Sequence, residues 1–262
     1  MINYYPVRVL FNIFGIRIYS WGFFVSLGIL VALLTARKLY KKEFEEILNS
    51  FLITFICSII GARLLYVILN LNHFLQKPIE MINFQGGGLS FFGALFFGLL
   101  GFIIYFKISR IDFKKYLDIY AIFIPIVQAF GRIGCFLNGC CYGRPTKLFF
   151  GIEYLGTTRH PVQIYESILN LIVFLLLYKT KDKKQLRIFS LNIKLFSGAR
   201  FLLYLILYSI VRFFMEFFRE EKIILLGLTQ TQILCLFIIM ISIFLLFKKQ
   251  RIKQNIKKKR KN

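Results

Sequence analysis

Leu89-Ser90-Phe91-Phe92-Gly93-Ala94-Leu95-Phe96-Phe97-Gly98-Leu99-Leu100-Gly101-Phe102-Ile103-Ile104-Tyr105-Phe106 contains no charged residue and stops at Lys107. Wound as a helix, the run nearly matches the hydrocarbon thickness of a bilayer. Comparable runs recur near 19–36, 49–70, 116–137, 163–178, 198–218 and 223–247. Of the 262 residues, 58% are hydrophobic and 18% aromatic, more apolar surface than a soluble domain buries. The pattern predicts an all-α polytopic membrane protein with seven transmembrane helices. No internal repeat is visible, so a transporter built from inverted halves draws no support.

The formal net charge of +23 would suggest nucleic acid in a soluble protein. Here the basic residues gather between apolar runs. Arg37, Lys38, Lys41 and Lys42 follow the first; Lys107, Arg110, Lys114 and Lys115 follow the third; a lysine-rich stretch follows the fifth; and Lys248 to Lys261 form a tail. Basic residues on alternating connections are the positive-inside pattern, so the charge reads as topology and no nucleic-acid partner is expected. With the tail inside and seven spans, the N-terminus lies outside, as do the connections 71–88, 138–162 and 219–222. Residues 1–247 read as one membrane domain and 248–262 as a polybasic cytoplasmic tail. No cleavable signal peptide is evident, since the first basic residue is Arg8 and the apolar run begins only near Tyr19. The connection after the fourth span is long and predicts a small outer-face element, with a short strand around Phe149 to Tyr154.

Ionisable residues inside apolar runs are the first places to look for chemistry. Arg63 has Tyr66 on the same helical face, and Arg132 lies in Gly131-Arg132-Ile133-Gly134, where flanking glycines allow close approach. Tyr208, Arg212 and Glu216 share one face of the sixth run. The Arg212–Glu216 spacing fits equally an ion pair that makes the helix tolerable in lipid and a working pair. Several arginines with few acids to neutralise them imply an anionic ligand, and in a membrane the abundant phosphate is a phospholipid headgroup. Arg159-His160-Pro161-Val162-Gln163-Ile164-Tyr165-Glu166 opens the fifth run, with Pro161 suited to a helix start.

Two further features read as packing. The glycine-rich stretch Phe84 to Gly93 suits a turn and tight helix contacts, although its flexible backbone could also approach a ligand. Cys57 and Cys235 lie in apolar runs as small core residues. Cys135, Cys140 and Cys141 cluster in the arginine segment. With His160 they supply no second closely spaced ligand pair, so no metal site is expected.

Several blocks taken together resemble the prolipoprotein diacylglyceryl transferase family. They are Tyr19-Ser20-Trp21-Gly22, Gly61-Ala62-Arg63, Gly86-Gly87-Gly88-Leu89-Ser90-Phe91-Phe92-Gly93, Gly131-Arg132-Ile133-Gly134-Cys135-Phe136-Leu137-Asn138-Gly139, Arg159 to Glu166, Arg212 to Arg219, and Gln232. Their order and spacing follow the family over nearly the whole chain. The resemblance implies seven spans in a bacterial cytoplasmic membrane and no cofactor. It implies transfer of a diacylglyceryl group from phosphatidylglycerol to the lipobox cysteine of a prolipoprotein's signal-peptide region, with glycerol phosphate leaving.

By the same resemblance Arg132 holds the lipid phosphate, with Gly131, Gly134, Asn138, Arg63 and Arg219 in the phospholipid-binding set. Arg212 is a second arginine near the reacting centre. Tyr208, Glu216 and His160 are candidates, in that order, to take the thiol proton. Gln163, Tyr165, Glu166, His160 and Cys140 support the site. Two departures stand out. Phe92 occupies the position of a family histidine, and Cys135 and Cys140 replace a common asparagine and glutamate. A non-catalytic relative that binds anionic phospholipid or lipoprotein precursors is the alternative those departures raise.

Overall fold

The computed structural model describes residues 2–82, 88–154, 156–188, 191–225 and 227–259. Phe84, Gln85, Gly86 and Gly87 of the glycine-rich stretch lie outside the described residues. Among the described residues eight α-helices follow one another: α1 (Ser20–Leu39), α2 (Phe44–Leu69), the short α3 (Leu71–Gln76), α4 (Phe91–Ile108), α5 (Phe113–Asn138), α6 (Val162–Tyr178), α7 (Ala199–Glu216) and α8 (Gln230–Lys259). Each of the seven longer ones falls on an expected span. Among the described residues five stretches are long and apolar enough to cross a membrane: α1, α2, α4, α5 and residues 230–250 of α8. The 17-residue α6 is apolar but shorter, and α7 carries Arg200, Arg212 and Glu216, which lower its hydropathy.

Helix ends depart from the apolar runs for identifiable reasons. The second span was expected from 49, but α2 begins at Phe44 because Glu45 and Glu46, hydropathically unfavourable, suit the positive end of a helix dipole. The seventh was expected from 223, yet Ile223–Leu225 (β8) and Leu228–Thr229 (β9) form an antiparallel hairpin, and α8 starts only at Gln230. Gly227, with φ of +76°, makes that turn in a conformation an L side chain resists. At its other end α8 runs on through the basic tail to Lys259.

The chain forms two compact units, residues 1–35 with 117–262, and residues 36–116. In the second unit a seam of small residues joins α2 to α4. A side chain at Gly61 would collide with Phe97, one at Gly93 with the Gly61 carbonyl, and one at Gly98 with Ser58. Small residues let helix backbones approach where no hydrophobic effect drives them together. Gly93 is therefore packing, as the simpler reading had it. Ser90 caps α4 by accepting from Gly93 N at 3.4 Å.

Arg63 in α2 is buried, and its guanidinium donates to the carbonyls of Met81 (2.8 Å), Gly88 (3.0 Å) and Glu80. It also lies over the Tyr66 and Phe74 rings at 5.6 and 5.4 Å. This arginine ties the connection after α2 back onto its own helix.

In the first unit, Ile2–Asn3 (β1) runs parallel to Ile152–Tyr154 (β4), which pairs antiparallel with Thr157–Arg159 (β5). A strand does sit in the expected connection after α5. Its partners, and the hairpins Val9–Ile13 (β2) with Ile16–Tyr19 (β3) and Gln185–Ile188 (β6) with Leu191–Lys194 (β7), were not foreseen. Asp118 near the start of α5 is buried and caps α7, accepting from Gly198 N at 2.9 Å and Phe201 N at 3.0 Å, with Arg200 Nη1 3.8 Å away. Asp118→Ala orphans both donors and should destabilise the chain by about 2 kcal/mol. Thermal unfolding of the detergent-solubilised protein checks this, and an unchanged midpoint would remove the cap from the account.

Candidate active site

The site grows from the C-terminal end of α5. Gly139, at φ +71°, closes the helix, with Gly139 N bonded to Phe136 O (3.0 Å) and Cys140 N to Cys135 O (3.1 Å). That is a Schellman motif, which only a residue tolerant of the left-handed region closes cheaply. The last carbonyls of the helix would otherwise be orphaned. They are taken up by the N-terminal segment and β4: Tyr4 Oη donates to Phe136 O, Val7 N to Leu137 O at 2.8 Å, and Tyr154 Oη to Gly139 O at 2.9 Å.

The glycines beside Arg132 were expected to admit a ligand. Gly134 instead admits α1, since a side chain there would strike the Trp21 backbone, while Gly131 has only ordinary contact with Val25. Asn138 is the last residue of α5.

Arg132 forms an ion pair with Glu166 of α6 through its Nε. Glu166 is the hub of the site: it is 3% exposed, and it also meets Arg212 Nη1 at 3.0 Å and Arg219 Nη1 at 3.9 Å. Arg212 in turn reaches Glu216 Oε2 with Nη2 at 2.9 Å, which realises the expected i,i+4 pair. Glu216 is 1% exposed and has Arg219 Nε 3.9 Å from the same oxygen. Three guanidiniums thus share two buried carboxylates, leaving one positive charge in excess within the inner cluster. Arg219 Nε is buried without a hydrogen bond, and Arg219 Nη2 reaches out to the half-exposed Glu221 at 3.1 Å.

The chain entering α8 supports this cluster. Thr229 and Gln232 form a capping box: Gln232 N donates to Thr229 Oγ1 (3.3 Å) and Thr229 N to Gln232 Oε1 (2.9 Å). The Thr229 hydroxyl donates to Glu216 Oε1 at 2.9 Å. Gln232 is thus a helix cap rather than a group facing ligand. Thr229→Val removes both the cap and the Glu216 hydrogen bond. We expect a loss of about 2 kcal/mol of stability and a severalfold fall in turnover, read by thermal unfolding and by the assay described below; wild-type values in both would contradict the coupling.

The segment after α5 is stitched to the cluster's other side. Arg144 N and Nε donate to the carbonyls of Phe218 (2.8 Å) and Arg219 (2.7 Å), and Gly143 N donates to His160 O (3.0 Å). Arg159 pairs with Glu220 at 2.8 Å and lies over the Tyr142 ring. Buried Gln163 donates to Cys140 O at 2.7 Å, fixing the cysteine segment to α6. His160 Nδ1 is 3.4 Å from Tyr165 Oη and packs on Phe218. Partial burial holds its pKa below the usual histidine value, so it is neutral at pH 7. Tyr208 stacks on Tyr204 and lies within electrostatic reach of Arg132, Glu166 and Arg212.

Cys141 reads in the sequence as a small packing residue. It sits with Cys135 and Cys140, the three sulfurs all within 4.8 Å of one another. A hydrogen bond from Cys135, with Arg219 and Arg132 nearby, holds the Cys141 thiol below the ordinary thiol range. The arrangement favours an anion beside Arg132 and Arg219.

The prolipoprotein diacylglyceryl transferase family model matches residues 8–248. The chain belongs to that family. A relative from Clostridium tetani named phosphatidylglycerol–prolipoprotein diacylglyceryl transferase is 36% identical over 249 residues, covering 90% of this chain and 95% of its own. Relatives of the same name from Clostridioides difficile and Finegoldia magna are 35% and 34% identical, with 87% and 95% of this chain covered, and 90% and 99% of theirs. The family's match reaches across both compact units and includes every residue of the arginine–carboxylate cluster.

Arg132, Arg212, Glu216, Arg219 and Glu166 come together, with Tyr208, His160, Gln163, Tyr165 and Cys140 around them. Arg63 lies in the other unit with its guanidinium on backbone carbonyls. Sequence reasoning missed the central position of Glu166 and the parts of Thr229 and Cys141. Thr229 carried a legible signal, since Thr-Gln-Thr-Gln has the capping-box spacing.

Proposed function

We propose that this chain transfers the diacylglyceryl group of phosphatidylglycerol to the lipobox cysteine of prolipoproteins, the first step of their maturation, with Arg132 and Arg219 holding the lipid phosphate. The single observation that carries the residue assignment is the excess of three guanidiniums over two carboxylates, with a buried Arg219 N–H lacking an acceptor. A phosphodiester brings one negative charge and the missing acceptor. The relatives' names supply the lipid and the protein substrate.

In this reading the phosphate enters beside Arg132 and Arg219. The acceptor thiolate attacks the glycerol carbon bearing the phosphate oxygen. An S–C bond forms, the C–O bond breaks, and its electron pair leaves with glycerol phosphate, whose charge the guanidiniums stabilise. Arg212 has a carboxylate on each terminal nitrogen, so it acts as fixed positive charge and as the tie between Glu166 and Glu216. Glu216 has Arg212 beside one oxygen and the Thr229 hydroxyl on the other. Its work is positioning, and the proton passes to neutral His160 or to solvent once the arginines favour the thiolate; Tyr208, a phenol that carries its own proton, cannot take it. Arg63, with its guanidinium on three backbone carbonyls, is left out of the phosphate-holding set in this reading.

Seven membrane spans, an outer-facing N-terminus and a cytoplasmic tail complete the reading, supported by the seven longer helices and by the basic connections. The β1–β4–β5 sheet then lies on the outer face.

The test is purified protein with phosphatidylglycerol and a lipobox peptide, read by mass spectrometry for the thioether product and for glycerol phosphate. Both products are expected. Lipid binding without either would establish instead the non-catalytic relative, with Phe92 as the first suspect.

A further inference from the structure

We propose that Cys135, Cys140 and Cys141 form a three-thiolate site for a thiophilic divalent cation, zinc by its chemistry, whose fourth position takes the acceptor thiol. Only the use of that fourth position rests on the transferase reading; the site itself does not.

The geometry is that of a metal site before closure. Three sulfurs about 2.3 Å from one zinc ion lie about 3.8–4.0 Å apart, and here all three fall within 4.8 Å of one another. The backbone enforces the approach. The Schellman motif folds Cys140 back over Cys135, whose carbonyl receives both Cys140 N (3.1 Å) and Cys140 Sγ (3.6 Å). Gln163 fastens the Cys140 carbonyl from α6, and Cys141 follows at φ +61°, a left-handed conformation uncommon for a side-chain-bearing residue. Cys140 and Cys141 are only partly buried, so core packing does not account for them, whereas a cation could reach them.

Three thiolates and a divalent cation sum to one negative charge, beside the Arg219 and Arg132 guanidiniums. Among the described residues no other group of His, Cys, Asp or Glu converges in this way. Three protein ligands leave a tetrahedral zinc with one open position, the arrangement of catalytic rather than structural sites.

The reaction needs an acceptor thiolate, and both carboxylates of the cluster are ion-paired with arginines. A thiol that coordinates zinc loses its proton outright. The lipobox thiol would displace water at the ion and release its proton to solvent. Its sulfur then attacks the glycerol carbon as described, and the ion is unchanged by turnover. Such a device would make a histidine at position 92 dispensable.

The experiment uses the full chain in detergent, reduced and desalted without oxygen. Elemental analysis should find about one zinc per chain, and cobalt substituted for it should give the intense near-ultraviolet bands of thiolate coordination. Cys140→Ser and Cys141→Ser should each lower bound metal at least about tenfold while thermal unfolding stays cooperative. A cysteine-bearing lipobox peptide should shift the visible cobalt bands, and its serine counterpart should not. Absent metal, equal metal in the variants, a disulfide between two of the three cysteines in the freshly isolated protein, or identical spectra with both peptides would overturn the proposal. Full turnover by chelated, metal-free protein would also overturn it while leaving the transferase reading intact. Metal-loaded protein that takes up the cysteine peptide yet yields no product would count against the transferase reading alone.

Discussion

Replacing Arg132 with alanine should cut formation of diacylglyceryl peptide by about 10²–10³, the effect of losing one preorganised charge at a transition state that develops negative charge in a dry site. Two losses combine. The phosphate loses its donor, and Glu166 loses the partner on its Oε2. Lysine at 132 should recover little, because an ammonium is a point charge and cannot hold Glu166 and a phosphate oxygen in one plane. Measured rates with phosphatidylglycerol decide the matter. A variant that retains a tenth or more of wild-type turnover would move the phosphate away from Arg132.

Glu166→Gln should be the most damaging change to stability in the cluster. Glu166 meets three arginines while 3% exposed, so neutralising it leaves three guanidiniums with Glu216 alone among the buried carboxylates. Breaking one partner of a buried ionic network typically costs about 3–5 kcal/mol, and thermal unfolding in detergent should fall accordingly. The substitution also raises the excess charge from one to two. Added phosphatidylglycerol should therefore stabilise the variant more than it stabilises the wild type, as expected for a ligand that supplies the missing anion. Turnover should remain low, since the arginines are no longer held apart in a fixed arrangement. An unchanged midpoint, or equal stabilisation by lipid in both proteins, would show that Glu166 is not the hub described.

Much of the helical layout is legible in hydropathy because lipid-facing helices must be apolar along a bilayer's length. Phe91–Ile108 is such a case. Hydropathy fails where a helix or strand is defined by something else. Glu45 and Glu46 extend α2 through a dipole effect, and Gly227 turns the apolar Ile223–Leu225 into a hairpin rather than a helix. The arginines of the site were legible because charge in an apolar run needs a partner. Which partner each one takes was not. Arg63 found three backbone carbonyls, while Arg132, Arg212 and Arg219 found one carboxylate in common, from a helix many residues away. Such convergence depends on tertiary packing, here the approach of α6 to α7, and leaves no mark in local spacing. The cysteines illustrate the same limit. Two at a five-residue spacing say little, but a Schellman turn brings the third into reach.

The central claim is that the arginine–carboxylate cluster binds a lipid phosphate, and native mass spectrometry of the detergent-solubilised chain tests it most directly. Phosphatidylglycerol and diacylglycerol, which lacks the phosphate, would be offered in turn to wild type and to Arg132→Ala. Wild type should retain one phosphatidylglycerol and little diacylglycerol, and the variant, still folded, should lose the preference. Equal retention of both lipids by wild type, or an undiminished preference in the variant, would contradict it.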